Sequence, residues 1–161
     1  MKLTELLYGG LKAKSDEEFY FLGLNALLEG QVEQAKDYFT QCAKLNHDHA
    51  EAFFQLARVY EQIGQSERAL KLLQDLTFRS QLEPEFFKRI VRKAIDINIQ
   101  ECHGEEALEL FAKHFPKSKD HELLQQKLKA YFLCKNWSEA VKLGNQLYKE
   151  GVIGSQELAA I

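Results

Sequence analysis

Between residues 16 and 77, apolar and small residues recur every three or four positions, the spacing that lines up side chains on one face of a helix. The first run holds Phe19, Leu22, Gly23 and Ala26, and after a break at Gly30 a second run holds Ala35, Phe39 and Cys42. The pattern then recurs. Phe19 aligns with Phe53, Leu22 with Leu56, Gly23 with Ala57, Gly30 with Gly64 and Ala35 with Ala69. The interval is the same in every pair, about 34 residues, within the range of periods that marks a repeat architecture. Each unit reads as a helical hairpin. Gly23 and Ala57 are small where a neighbouring helix must come close, and Ala35 and Ala69 do the same in the second helix, with Phe39 and Leu73 filling the gap beyond. Gly30 and Gly64 end the first helix of each unit, because glycine takes the left-handed cap conformation without a Cβ penalty. One hairpin cannot bury its apolar face alone, so it must stack on copies of itself.

The C-terminal half keeps the rhythm less strictly. Pro84 suits the first turn of a helix, where its missing N–H is unimportant, and Phe87 follows Phe53 at the same interval. The next small anchor after Ala69 is Ala107, which comes four positions later than that interval would place it. Four extra residues amount to about one helical turn, so helix 84–101 is expected to be one turn longer. Its partner opens at Gly104 and Glu105 and stops before Pro116. A fourth pair carries Tyr131 in its first helix and Trp137, Ala140 and Leu147 in its second, with Ser138 as the expected N-cap. Residues 2–13 read as a lead-in helix covering the first unit, and Ser155–Ile161 as the start of a terminal helix. The expected organisation is one domain over 1–161: a lead-in at 2–13, units at 16–49, 50–83, 84–117 and 118–151, and a terminal helix from 152.

At these positions the chain resembles the tetratricopeptide repeat family. That family's pattern is an aromatic at the fourth position, Leu-Gly at the seventh and eighth, an aromatic at the eleventh, a turn glycine, then Ala, aromatic and Ala, and a closing Pro. Phe19, Leu22, Gly23, Gly30, Ala35 and Phe39 match in the first unit, with Cys42 in place of the later Ala; Phe53, Leu56, Tyr60, Gly64 and Ala69 match in the second. His47 stands where Pro is usual. The resemblance covers residues 16–77 and implies an all-α fold, a right-handed superhelix of stacked antiparallel helix pairs whose first helices line a concave groove. Carried over position by position, it implies groove residues Tyr20, Leu24, Leu27 and Leu28 in unit one, Phe54, Arg58, Glu61 and Gln62 in unit two, and Lys88, Arg92, Ile95 and Asp96 in unit three. Some members clamp a C-terminal carboxylate with Lys and Asn in the first two repeats; here Tyr20, Leu24 and Gln55 hold those places, so that activity is not implied.

Composition narrows the choice further. Only 2 Pro and 9 Gly in 161 residues favour long helices over many short strands. A net charge of −3 is too small and too mixed for a nucleic-acid footprint. Cys42, Cys102 and Cys134 are odd in number and far apart, so they read as small buried residues in a reducing, cytoplasmic compartment. No run approaches the roughly 20 apolar residues of a membrane span. Lys88, Arg89, Arg92 and Lys93 form a basic stripe, read either as a seat for an acidic group or as a solvated face paired with Glu85 and Asp96.

Catalytic and metal chemistry find little footing. His47 and His49 share a loop with only Asp48 as a third donor, Cys102-His103 and His114 lack a nucleophile–base arrangement, and there is no phosphate loop. No enzyme, cofactor or metal is expected. The leading reading is a scaffold holding a peptide or helix of a partner protein in the groove. The alternatives are a chaperone or assembly factor for an aggregation-prone or secreted substrate, and a self-associating module or piece of a longer protein, suggested by the apolar end at Ala159, Ala160 and Ile161.

Overall fold

Local sequence sets where each helix starts and stops. The structure is a computed structural model that describes residues 14–159, so the lead-in helix expected over 2–13 lies outside the described residues. Among the described residues there are nine helices and no strand: α1 (Asp16–Leu28), α2 (Val32–Leu45), α3 (Ala50–Gln62), α4 (Ser66–Thr77), α5 (Pro84–Gln100), α6 (Gly104–His114), α7 (His121–Leu133), α8 (Trp137–Lys149) and α9 (Ser155–Ala159). Ser15 and Glu18 close a reciprocal capping box at α1, with Glu18 N–H donating to Ser15 Oγ at 3.1 Å and Ser15 N–H to Glu18 Oε2 at 2.8 Å. His49 Nδ1 caps α3 by accepting from Ala52 N–H at 3.1 Å. Asp120 caps α7 by accepting from two backbone N–H groups, and Pro84 sits in the first turn of α5. The cap of α8 is Asn136, and Ser138, expected in that role, lies inside the first turn.

One turn closes the first helix of all four pairs. Gly30 and Gly64 both have φ of 74°, and the same left-handed position is held by Cys102 at 61° and Lys135 at 55°. In each case the next residue donates its N–H back across the helix end: Gln31 to Ala26 O, Gln65 to Tyr60 O, His103 to Asn98 O and Asn136 to Tyr131 O, all at 2.8–2.9 Å. That is the Schellman closure, which satisfies carbonyls left over at a helix C-terminus. The residue after the left-handed one is then the N-cap of the following helix in every pair. The turn geometry persists through units whose glycine has gone.

The cores run continuously from pair to pair. Ala35, Ala69, Ala107 and Ala140 are all fully buried and let the two helices of a pair close up. Gly23 does the same from the other side, since a Cβ there would come within 2.6 Å of the Phe39 ring. Phe39 and Leu56 centre the first cluster, Leu73, Leu76, Ile90 and Ile97 the second, and Val91, Ile95, Phe111 and Leu123 the third. Tyr60 and Leu72 touch both the first and second clusters, and Leu110 both the second and third. The fourth cluster, Leu128, Ala140, Leu147 and Ile153, lies within the last pair and the segment after it, and α7 ties that pair to the third cluster through Leu123 and Ala130. Ile95, expected in the groove, is a core residue.

Polar bridges between consecutive pairs connect first helices: Arg89 to Glu51 and Lys93 to Glu61 join α5 to α3, while Arg92 to Asp120 and Gln126 to Asp96 join α5 to α7. On the other side, α4 and α6 leave a groove of about 400 Å³ between them. In the solenoid that the sequence resemblance implies, the first helices α1, α3, α5 and α7 line the inner face, and these bridges join three of them. Helix α5 has 17 residues against 13 in α3, the extra turn that delays Ala107 relative to the register of Ala35 and Ala69.

Candidate partner-binding groove

The inner face changes character along its length. At the α1 end, Tyr20, Leu24 and Leu27 are half-buried, packed against the cluster around Phe39. The Tyr20 ring lies 5.9 Å from the Phe39 ring and 4.8 Å from the imidazole of His49. Burial pushes the Tyr20 phenol above its ordinary pKa, with the nearby Glu51 carboxylate adding to it, so this side chain is a neutral anchor. Leu28 is different: it is 86% exposed. Arg58 and Gln62 on α3 are exposed as well, and Arg58 donates to Gln55 Oε1 at 3.0 Å. Of the residues expected at this end, Leu28 and Arg58 are exposed and Tyr20, Leu24 and Leu27 half-buried.

Phe54 corrects the sequence expectation. It is only 5% exposed and belongs to the core between α3, α4 and α5. The Phe86 ring meets it edge-on at 5.6 Å, and the Arg89 guanidinium lies 5.1 Å from its centroid and 5.3 Å from that of Phe86. Arg89 also reaches Glu51 at 3.3 Å. Phe54 thus lies under a cation that is itself held by a carboxylate, which covers it at the second unit.

The basic stripe is engaged throughout. Lys88 pairs with Glu85 at 2.6 Å, Lys93 with Glu61 at 2.6 Å, and Arg92 with Asp120, with Glu122 further off at 3.7 Å. The Arg92 hydrogen bond holds the Asp120 carboxyl below the usual carboxylate range. Of the two readings of Lys88 and Arg92, the paired one describes the geometry, with partners drawn mostly from neighbouring helices. Asp96 is half-buried, which raises its pKa, and it accepts from Gln126 Nε2. Lys88–Glu85, three apart on one helix, was within reach of sequence spacing; the others were not, because each joins residues some 28–38 positions apart on separate helices.

The remaining polar groups are structural. His49 commits Nδ1 to the cap of α3, and no cluster of metal-ligating side chains occurs among the described residues. His114 meets the Phe87 ring edge-on at 5.4 Å. Cys42 is fully buried, and its thiol is pushed up to about 11 by burial. Cys102, expected inside, is exposed in its left-handed turn, and Cys134 is half-buried. No helix among the described residues is long and apolar enough to cross a membrane.

Comparison with known proteins agrees with this architecture. A family model described as tetratricopeptide repeat matches residues 26–89. The search of curated proteins gave no match. Among solved structures, one titled "MamA RS-1 ArsTM double mutant" is similar with a TM-score of 0.70 at 14% identity, covering 81% of this chain and 71% of that one. A crystal structure of MamA is similar with a TM-score of 0.52 at 17% identity, covering 80% of this chain and 64% of the other. Identities this low speak for a common fold alone. Residues 26–89 match the tetratricopeptide repeat family model, and they are built into an all-α, tetratricopeptide-like solenoid that runs on through α8.

Proposed function

We propose that this protein is a non-catalytic scaffold that holds a peptide or helix of a partner protein on its inner face, at the α1–α3 end. The observation that carries this reading is the contrast along that face. Leu28 stands exposed beside half-buried Leu24 and Leu27, whereas the cations further along are engaged by the protein's own carboxylates. Exposed apolar surface next to an ordered polar rim is the usual ground for peptide docking. The favoured partner presents apolar anchors, and the acidic partner suggested by the basic stripe loses its support. Three unpaired cysteines suit a cytoplasmic setting. The test is capture from lysate with identification by mass spectrometry, comparing wild type with Leu28→Glu, then titration of the identified partner. Partner loss with unchanged helicity supports the reading; equal titration curves for both proteins reject it.

A second reading, self-association, has its own observation. Trp137, Val141 and Tyr148 are all exposed along one stripe of α8. Light scattering of wild type and Trp137→Lys decides it: a concentration-independent monomer removes this reading.

A further inference from the structure

The outer groove between α4 and α6 has a character the inner face lacks. Its floor is apolar and belongs to the core, with Leu73 and Val91 fully buried beneath half-buried Leu70 and Leu110. Its rim on the α4 side carries Phe78, which is 75% exposed. On the α6 side the rim carries Glu106 and Glu109, three apart and so on one helix face, followed by Lys113. All three are exposed, and none of them forms an ion pair among the described residues. On the inner face Lys88, Arg89, Arg92 and Lys93 each have a carboxylate partner; at this rim none of the three charges has an ion-pair partner among the described residues.

The origin of the groove is physical. Helix α5 is four residues longer than α3, so the α5–α6 turn comes one helical turn later than the register of the first two pairs would set it. Helix α6 then starts displaced relative to α4, and the second half of α5, from Ala94 to Asn98, forms the bottom of the gap. Asn98 is buried there and satisfies its amide N–H on Ala94 O at 2.9 Å, so it adds no unmet polar demand to an otherwise apolar floor.

We infer that this outer groove is a second docking site, for an amphipathic partner helix that seats an apolar side chain over Leu70 and Leu110 and places a Lys or Arg against Glu106 and Glu109. The trough between two second helices fits the helix-in-groove mode. The unmatched carboxylates select a basic rather than an acidic flank, because a second carboxylate opposite Glu106 or Glu109 would be repelled. The site is separate from the inner face and does not depend on how that face is used.

Fluorescence polarisation with three synthetic helical peptides tests it: one alternating Leu and Lys stripes, one Leu and Glu, one Ser and Lys. The Leu/Lys peptide is expected to bind, and the other two to bind weakly or not at all. Glu106→Lys with Glu109→Lys, and separately Phe78→Ser, should each weaken that binding by roughly tenfold, while Leu28→Glu leaves it unchanged. All these positions are exposed, and circular dichroism confirms folding of each variant. Equal binding of the Leu/Lys and Leu/Glu peptides, or of the Leu/Lys and Ser/Lys peptides, overturns the inference. So does Leu/Lys binding that Leu28→Glu removes and the groove variants do not. The inner-face proposal is judged by Leu28→Glu with its own partner, so either site can fail without the other.

Discussion

Cys102 and Lys135 occupy left-handed backbone that glycine holds in the first two units. A Cβ there costs about 1–2 kcal/mol, offset in part by the lower chain entropy of a non-glycine residue in the unfolded state. Cys102→Gly and Lys135→Gly are therefore each expected to raise stability by about 0.5–1 kcal/mol, and Gly64→Ala to lower it by about 1 kcal/mol, in urea denaturation. A destabilised Lys135→Gly would mean that the Lys135 side chain contributes something the turn geometry does not show. Asp96 is a second liability. Burial raises its pKa, helped by Glu61 and Glu122 and opposed by Lys93. A carboxyl raised in the folded state adds stability below its unfolded pKa and loses it as pH climbs through the folded value, so at neutral pH it works against folding. Beside it, Gln126 Oε1 is buried without a hydrogen-bond partner. Asp96→Asn supplies an N–H donor for that oxygen and removes the desolvated charge. Thermal unfolding should show a gain of about 1 kcal/mol at neutral pH that disappears in acid, where Asp96 is already protonated.

At the scale of elements, the helices were legible because close packing dictates residue size. Ala35, Ala69, Ala107 and Ala140 are invisible to any catalytic motif, yet their spacing located every second helix before α9 and the extra turn of α5. Ala69→Leu should cost about 1–3 kcal/mol by overpacking the α3–α4 pair; a neutral result in denaturant titration would displace the register. What the spacing could not reveal was the neighbour. Phe54 occupies a position that lines the groove in the repeat pattern, but α5 brings Phe86 and Arg89 over it, so exposure was decided by a helix of the following unit. Asn136 rather than Ser138 caps α8 for a similar reason. The repeated turn fixes which residue becomes the N-cap, and hydroxyl preference comes second. Leu28 and Arg58 stay exposed because, among the described residues, no later helix covers them.

Across the whole molecule, consecutive pairs are joined by apolar packing, and from the second pair to the fourth also by a ladder of charged side chains between first helices. The Arg92–Asp120 rung joins α5 to α7, and Asp120 also caps α7. Asp120→Ala should therefore lower stability by about 1–2 kcal/mol, measured by denaturation at neutral pH. Because the Asp120 pKa is depressed in the folded protein, its contribution is complete above the ordinary carboxylate pKa and fades as pH falls through the folded value. The wild-type and Asp120→Ala curves should converge in strong acid; a constant gap would assign the loss to packing instead. The ladder has a mechanical consequence as well. Its rungs are partly exposed to solvent, so mobile ions weaken them, while the hydrocarbon between the layers is indifferent to ionic strength. The coil is then a spring with a salt-tunable stiffness along one edge: concentrated electrolyte relaxes the inner edge and lets the arc straighten without unfolding a single helix, a change that X-ray scattering in solution reads as a longer maximum dimension at constant helicity.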